Sequence, residues 1–346
     1  MNLTSAVPLH SRKPSPVRAL LLMVAAHFCF SLMIFFIKAA QKVQFSLHPD
    51  AAVARFGTWE SVFFRCLPMT LMCLFVMARR KRGGHAHPPL GSEEIRWLVT
   101  RGLVGAISMA CFFHGTLTIP LALSSLFSNA SVFLIGLLGH VFLAERMTGS
   151  RVVFALFGLA GVALVLGTGL FPETLAHNSQ SSAPTDYLIA FAAGVLSAIA
   201  YFSVRKMKSV PSNTIILSLS ASGVLLALLS PLVFSPLRFP REPEVITLLC
   251  LSSLPAIAAQ YLMTWSFQSG EAGFVALGQY SGPVFAALLG LVAFDERLSS
   301  LQWLGAAVAI FFGVMMPLVD ERALNKRFVL QSRKAVDFFK ERLRNS

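Results

Sequence analysis

The sequence predicts an all-α integral membrane protein with ten transmembrane helices, arranged as two inverted repeats of five helices each. Three observations lead to this prediction: an apolar composition, ten segments of membrane-spanning length, and an internal duplication. Of the 346 residues, 55% are hydrophobic and only 13% are charged, and the mean hydropathy is +0.68. Because a soluble chain has roughly a quarter of its residues charged, this composition excludes a water-soluble enzyme and a disordered chain.

The net charge of +13 comes from 29 Lys and Arg against 16 Asp and Glu. A nucleic-acid-binding protein would concentrate its cations on a solvated domain. Here the charges interrupt long apolar runs instead, so we expect no nucleic-acid partner.

Ten segments are long and apolar enough to cross the bilayer, which takes about 20 residues of helix. Several are joined by only a few residues, and such short connections require antiparallel neighbours. The predicted segments are 18–39, 59–78, 95–118, 120–143, 150–169, 186–204, 213–234, 245–266, 272–294 and 299–319.

The first segment is interpreted as a retained helix and not as a signal peptide. Its apolar stretch, 19–37, is longer than the 7–15 residues typical of a signal core. The stretch is followed by Lys38 and Gln41 instead of a small-residue cleavage site.

The distribution of Lys and Arg predicts the orientation. With a cytoplasmic N-terminus, 21 of these residues fall on the cytoplasmic side and five on the opposite side. We therefore expect both termini in the cytoplasm and the protein in a bacterial inner membrane.

The chain repeats itself. Residues 142–147 match 293–298 at an offset of 151, and residues 24–38 match 191–205 at an offset of 167. Because each half has an odd number of helices, the second half must insert upside down, as in many secondary transporters. The predicted division is an N-terminal tail (1–17), a first repeat (18–169), an extracytoplasmic linker (170–185), a second repeat (186–319) and a basic tail (320–346).

Two features carry a family resemblance: the Phe63-Phe64-Arg65 element of the second helix, and two Glu-Arg turns, at 145–146 and 296–297, that precede Gly-Val helices. With these, the chain resembles the EamA family of the drug/metabolite transporter superfamily over about residues 18–319. The resemblance implies a ten-helix transporter of small metabolites or drugs, often an exporter.

Small residues recur at four-residue spacing on three helices, which permits close approach of helix backbones. We interpret them as packing residues without a substrate role. They are Gly102, Ala106 and Ala110; Ala190, Gly194 and Ala198; and Gly305, Ala309 and Gly313.

No carboxylate is predicted near the middle of the membrane, because the acids fall at helix ends, in loops or in tails. Proton-driven transporters often use a membrane-embedded carboxylate. The sequence therefore predicts facilitated diffusion or exchange.

Arg65 is the main charged candidate, about six residues into the second helix. It faces a substrate cavity, or it extends to the interface, or it pairs with Glu60; the sequence leaves these alternatives open. For Arg101, nearer a cytoplasmic helix end, extension to the interface is favoured. Lys38 and its repeat counterpart Arg205 are interpreted as interfacial anchors.

A set of neutral polar residues shares one predicted depth. Asn129 corresponds to Tyr280 at offset 151, and its neighbour Ser128 corresponds to Gln279; His27 and Ser31 lie at similar depth in the first helix. Each alone could simply bind a neighbouring helix, but the convergence of the set predicts a central polar cavity. Trp265, Tyr201 and Gln260 are further candidates for its lining.

We expect no cofactor or metal. The sequence has no phosphate-binding loop and no zinc or nucleophile-elbow motif, so the chain alone would not hydrolyse ATP.

The tail after 319 alternates apolar residues with Lys and Arg. That pattern indicates a helix on anionic lipid or a solvated helix. The sequence does not determine the oligomeric state.

These features favour a secondary transporter that moves a small metabolite by alternating access. Arg65 favours a solute that bears a carboxylate or another anionic group, such as an amino acid or a derivative resembling S-adenosylmethionine. A membrane-embedded enzyme is the alternative, with only pairs such as His27 and Ser31 available for catalysis. A non-transporting scaffold is disfavoured because both halves are nearly complete.

Overall fold

A computed structural model describes residues 16–47, 56–82, 90–128, 183–233, 236–270, 275–295 and 299–308, with scattered residues at 130–164 and 310–315. Within this part of the chain all regular structure is helical. The helices are α1 (Pro16–Leu47), α2 (Thr58–Arg82), α3 (Ser92–Thr118), α4 (Leu121–Ser128), α5 (Pro184–Lys206), α6 (Ser212–Leu229), α7 (Pro243–Ser269) and α8 (Ser281–Phe294). Short 3-10 helices follow α6 at Ser230–Leu232 and precede α8 at Leu277–Tyr280.

The protein is a multi-pass membrane protein. By length and composition, six helices of the described part can cross a bilayer: α1, α2, α3, α5, α6 and α7. The shorter apolar helix Gly278–Phe294 includes α8. The predicted fifth segment and most of the fourth and tenth lie outside the continuously described residues.

Several predicted segments differ from the structure at their ends, and two of the differences affect the fold. The first helix was predicted to end at residue 39, but α1 continues to Leu47 and has 32 residues. At 1.5 Å per residue it is about 48 Å long, so part of it extends beyond the hydrocarbon layer. The ninth predicted segment is not one regular α-helix, because Pro283 has no N–H to donate to the carbonyl of Gln279, and residues 277–280 adopt a 3-10 turn instead.

The helices pack in pairs, and each pair consists of one helix from the first half of the chain and one from the second half. The first helix of the first half, α1, packs along α7, and the first helix of the second half, α5, packs along α3. In the other two pairs, α2–α6 and α4–α8, the two helices hold the same place in the order of their halves, the second and the fourth. Each half therefore completes its packing on the other.

Glycines lie at the closest helix crossings. A Cβ added to Gly102 of α3 would lie 2.5 Å from Ser222 Oγ and 2.8 Å from the carbonyl oxygen of Ser218 on α6. A Cβ on Gly194 of α5 would overlap the carbonyl oxygen of Phe127 on α4. The predicted packing role of the small residues on α3 and α5 is confirmed at these two positions.

Two cations bind equivalent helix ends. Lys38 Nζ, nine residues before the end of α1, donates to the carbonyl oxygen of Ile119, 3.2 Å away, at the C-terminus of α3. Arg205 Nη1, at the end of α5, donates to the carbonyl oxygen of Gly270, 2.6 Å away, at the C-terminus of α7. The donors are separated by the 167-residue offset and the acceptors by the 151-residue offset. Both cations stabilise the negative end of a helix.

Replacing Arg205 by methionine is expected to destabilise the protein, because the C-terminus of α7 loses its bound cation. A cation at this position contributes about 0.3–2 kcal/mol. Thermal unfolding of the purified protein in detergent measures the loss. Lys208→Met, at an exposed position two residues beyond the end of α5, is the matched control. Equal melting temperatures for the two variants would contradict the assignment.

Candidate functional site

A cavity lies between the two halves of the chain, at the centre of the helix bundle. Residues of α1, α2, α3, α4, α5, α6, α7 and α8 contribute to its wall. The space not filled by protein atoms is about 770 Å³ including the open mouth, and about 90 Å³ of it is available to the centres of water molecules. One water needs about 10–15 Å³ by the latter measure, so the cavity has room for several waters or a few polar groups of a solute.

Arg65 of α2 points into this cavity. Its side chain is 6% exposed, and Nη2 donates to Gln260 Oε1 of α7 at the long distance of 3.5 Å. The guanidinium lies 5.4 Å from the ring centre of Phe30 and 5.6 Å from that of Phe113. Glu60 does not pair with Arg65; it accepts hydrogen bonds from the backbone N–H groups of Gly57 and Arg238.

Arg101 of α3 also lines the cavity, which corrects the expectation that it extends to the interface. The side chain is 2% exposed, and its guanidinium lies 5.7 Å from the ring centre of Tyr201 on α5. The reason is depth: α3 begins at Ser92, so Arg101 lies about 13 Å along the helix.

Hydrogen-bond donors predominate in the wall. Four buried nitrogen atoms have no hydrogen-bond partner within the described residues: Arg65 Nε, Arg101 Nε, Gln260 Nε2 and Gln279 Nε2. Among the described residues that line the cavity there is no Asp or Glu. Because buried donors are normally paired, this wall is suited to binding the acceptor groups of a solute.

The neutral polar residues of α1 fix the opposite side of the cavity. His27 Nδ1 donates to the Met23 carbonyl oxygen over 3.1 Å, which leaves Nε2 of the neutral imidazole as an acceptor. Ser31 Oγ donates to the carbonyl oxygen of His27 at 2.9 Å and that of Gly282 on α8 at 3.4 Å. Of these bonds, the one from Ser31 to Gly282 joins α1 to α8 at the level of the cavity.

Five of the eight predicted site residues line the cavity: His27, Ser31, Arg65, Tyr201 and Gln279. Tyr201 stacks on Phe267 with 5.4 Å between ring centres. Gln279 Oε1 accepts from Ser131 Oγ at 3.4 Å.

The other three predicted residues have different positions. Tyr280 is buried but does not contribute to the lining, and Asn129 lies outside the described residues. Trp265 is 46% exposed and contacts Tyr261, with 5.6 Å between ring centres. Trp265 is not among the described residues that line the cavity, because at about 100° per residue it lies some 140° around α7 from Gln260.

A serine pair was not identified from the sequence. Ser108 Oγ of α3 lies 2.7 Å from Ser197 Oγ of α5 and donates to the carbonyl oxygen of Ala193 at 2.9 Å. Both serines line the cavity. The available signal was the small-residue spacing on α3 and α5, which places Ser108 and Ser197 beside the contact between these helices.

Comparison with known proteins agrees with this architecture. The pseudopaline exporter CntI of Pseudomonas aeruginosa is 28% identical over 292 residues, which cover 84% of this chain and 92% of the exporter. An uncharacterized transporter of Helicobacter pylori is 23% identical over 86% of this chain and 93% of its own. The aromatic amino acid exporter YddG of Ancylobacter novellus is 26% identical over 56% of this chain and 66% of its own.

A crystal structure of another protein superposes with a TM-score of 0.54 at 21% identity, covering 84% of this chain and 97% of the other; this likeness concerns the fold alone. A family model, the EamA-like transporter family, matches residues 17–167 and 185–318. The resemblance deduced from the motifs is therefore confirmed: this chain belongs to the EamA-like transporter family.

Proposed function

We propose that the protein is a secondary transporter that carries a small organic solute through the central cavity by alternating access, without hydrolysing ATP. The observation that carries this proposal is a cavity between two halves, with two buried arginines in its wall. Such a site near mid-membrane, where two repeats meet, is the arrangement used by many secondary transporters.

Alternating access requires two halves of related structure, and we propose ten helices in two inverted repeats at 18–169 and 186–319. The two separate matches to the family model support this division. The packing of helices from one half against helices from the other also supports it, as do the equivalent contacts of Lys38 and Arg205. With inverted halves these contacts lie on opposite membrane faces, Lys38 at the extracytoplasmic face and Arg205 at the cytoplasmic face.

For the substrate, we propose a metabolite that bears a carboxylate, such as an amino acid or a derivative resembling S-adenosylmethionine. The donor-rich wall of the cavity supports this class, because guanidinium groups bind carboxylates with strong charge-assisted hydrogen bonds. Two of the relatives are named as exporters, one of pseudopaline and one of aromatic amino acids. These names support export as the direction.

For the energy source, we propose exchange or facilitated diffusion without proton coupling. All sixteen acids of the sequence fall at helix ends, in loops or in tails, and the described lining of the cavity contains none. A proton relay at membrane depth would normally use such a group.

For the location, we propose a bacterial inner membrane with both termini in the cytoplasm. The excess of Lys and Arg on one side supports this orientation. On that side we place the tails 1–17 and 320–346, with the second on anionic lipid, and we place the linker 170–185 on the other side.

Counterflow in proteoliposomes tests the transport function. Vesicles are loaded with an unlabelled solute and diluted into the same radiolabelled solute, using phenylalanine, glutamate, succinate and S-adenosylmethionine in turn and no ATP. We expect transient accumulation of at least one label above protein-free vesicles, and no loss of accumulation when the proton gradient is collapsed at constant membrane potential. Loss on collapse would contradict the absence of proton coupling, and no accumulation of any label would contradict the transport function.

A further inference from the structure

The cavity holds two buried arginines that come from different helices and have no compensating acid among the described residues of its lining. Arg65 of α2 and Arg101 of α3 are 6% and 2% exposed. Each guanidinium lies against aromatic rings, Phe30 and Phe113 for Arg65 and Tyr201 for Arg101. Each also has a buried Nε without a hydrogen-bond partner in the described structure.

Such an arrangement is costly without an anion. Moving one ion out of water costs several kcal/mol, which aromatic faces offset only in part. Two like charges in one low-dielectric cavity also repel each other. A single carboxylate on the substrate would compensate one guanidinium and leave the other uncompensated.

We propose that the solute carries two carboxylate groups, one bound by Arg65 together with Gln260 and the other bound by Arg101. This proposal rests on the transport function proposed above and specifies its substrate class. Guanidinium forks suit carboxylates because their planar donors match the two carboxylate oxygens.

The space between the two arginines determines what joins the carboxylates. Met33, Ile34, Met109, Phe112 and Met263 line the same cavity, so an apolar or aromatic chain would bury its surface there. Ser108 and Ser197 add hydroxyl groups to the wall contributed by α3 and α5. The preferred solute is therefore an amphipathic dicarboxylate and not a compact, highly hydrated one.

The probes are α,ω-dicarboxylates of increasing chain length, from succinate to suberate, each compared with the monocarboxylate of equal chain length. Binding is followed by the rise in melting temperature of the purified full chain, and transport by counterflow. We expect one member of the dicarboxylate series to bind about tenfold to a hundredfold more tightly than its monocarboxylate, the effect of one further hydrogen-bonded charge pair.

Arg101→Gln separates a binding role from a structural one. We expect this variant to bind the preferred dicarboxylate about as weakly as the monocarboxylate of equal chain length. Because a buried charge without a partner is removed, the ligand-free melting temperature should stay equal or rise. Arg101→Lys keeps the charge and should recover part of the affinity. Arg96→Gln, which changes an exposed arginine on the same helix, should change neither the affinity for the dicarboxylate nor the ligand-free melting temperature.

Each remaining outcome overturns the proposal. Equal affinity for dicarboxylates and monocarboxylates, or no binding of any dicarboxylate, would show that the solute does not bridge the two arginines. If Arg101→Gln lowers ligand-free stability and leaves the ratio of the two affinities intact, Arg101 is a structural residue. In all three cases, counterflow of another solute would leave the transport function standing while this substrate class fails.

Discussion

Replacing Arg65 by glutamine is expected to reduce uptake of an anionic solute by about 10- to 100-fold at substrate concentrations below saturation. The estimate corresponds to the loss of one charge-assisted hydrogen-bonded contact, worth about 1.5–3 kcal/mol. Arg65 is buried in the cavity wall, and its contact with Gln260 is long, at 3.5 Å. Its remaining donors are available to a solute.

Two further variants make the result specific. Arg65→Lys keeps the charge but loses the planar fork, so uptake should be intermediate. Arg79→Gln changes an exposed arginine on the same helix and should leave uptake unchanged. Initial rates in proteoliposomes, normalised to the amount of folded protein, measure all three. Unchanged uptake by Arg65→Gln for every anionic solute tested would contradict a role for Arg65 in the cavity.

Replacing Gly194 by valine is expected to destabilise the protein more than any other single change proposed above. A Cβ at this position would overlap the backbone carbonyl oxygen of Phe127 and lie 3.2 Å from the Cβ of Ala130. Since a backbone atom cannot rotate away as a side chain does, α5 would have to separate from α4. Overpacking of this kind costs about 1–3 kcal/mol or more.

The matched control is Ala192→Val, which adds bulk at a half-exposed position on the same helix. We expect Gly194→Val to lower the melting temperature and the yield of monodisperse protein in detergent, and Ala192→Val to change little. Equal stability of the two variants would contradict the close packing of α4 and α5. Because α4 and α5 both contribute to the cavity wall, transport by any folded Gly194→Val protein should also fall.

Much of the site could be predicted because depth in the membrane is readable from the sequence. His27, Ser31 and Gln279 were selected by depth and by the repeat offset, and all three line the cavity. The family likewise followed from short motifs. The number of helices and the inverted repeat stay predictions, since much of three predicted segments lies outside the described residues.

The direction of a side chain around its helix was harder to predict than its depth. Trp265 has a suitable depth, but α7 turns it away from Gln260 and towards the exterior. Tyr280 is affected by the 3-10 turn at Leu277–Tyr280, which has three residues per turn instead of 3.6. This turn rotates the side chains relative to a regular helix. The apolar pattern of the segment does not show the turn, and Pro283 is the residue in the sequence that indicates it.

Arg101 is an exception to the rule that arginines near the ends of membrane helices extend to the interface. Arginines near helix ends usually extend to the interface, and the predicted helix start at residue 95 made that expectation reasonable. Because α3 starts at Ser92 instead, Arg101 lies deeper in the helix, and its guanidinium group contacts the aromatic face of Tyr201 inside the protein. Three additional residues at the start of the helix, about 4.5 Å, account for the difference between an interfacial Arg101 and one that lines the cavity.

Accessibility of the cavity from both sides of the membrane tests the transport mechanism most directly. A single cysteine is placed at Ser125, in the cavity wall, after the five native cysteines are replaced, and a membrane-impermeant thiol reagent is added to oriented vesicles from one side at a time. The account predicts labelling from each side, slowed by a transported solute. Labelling from one side only, with or without solute, would contradict alternating access through this cavity.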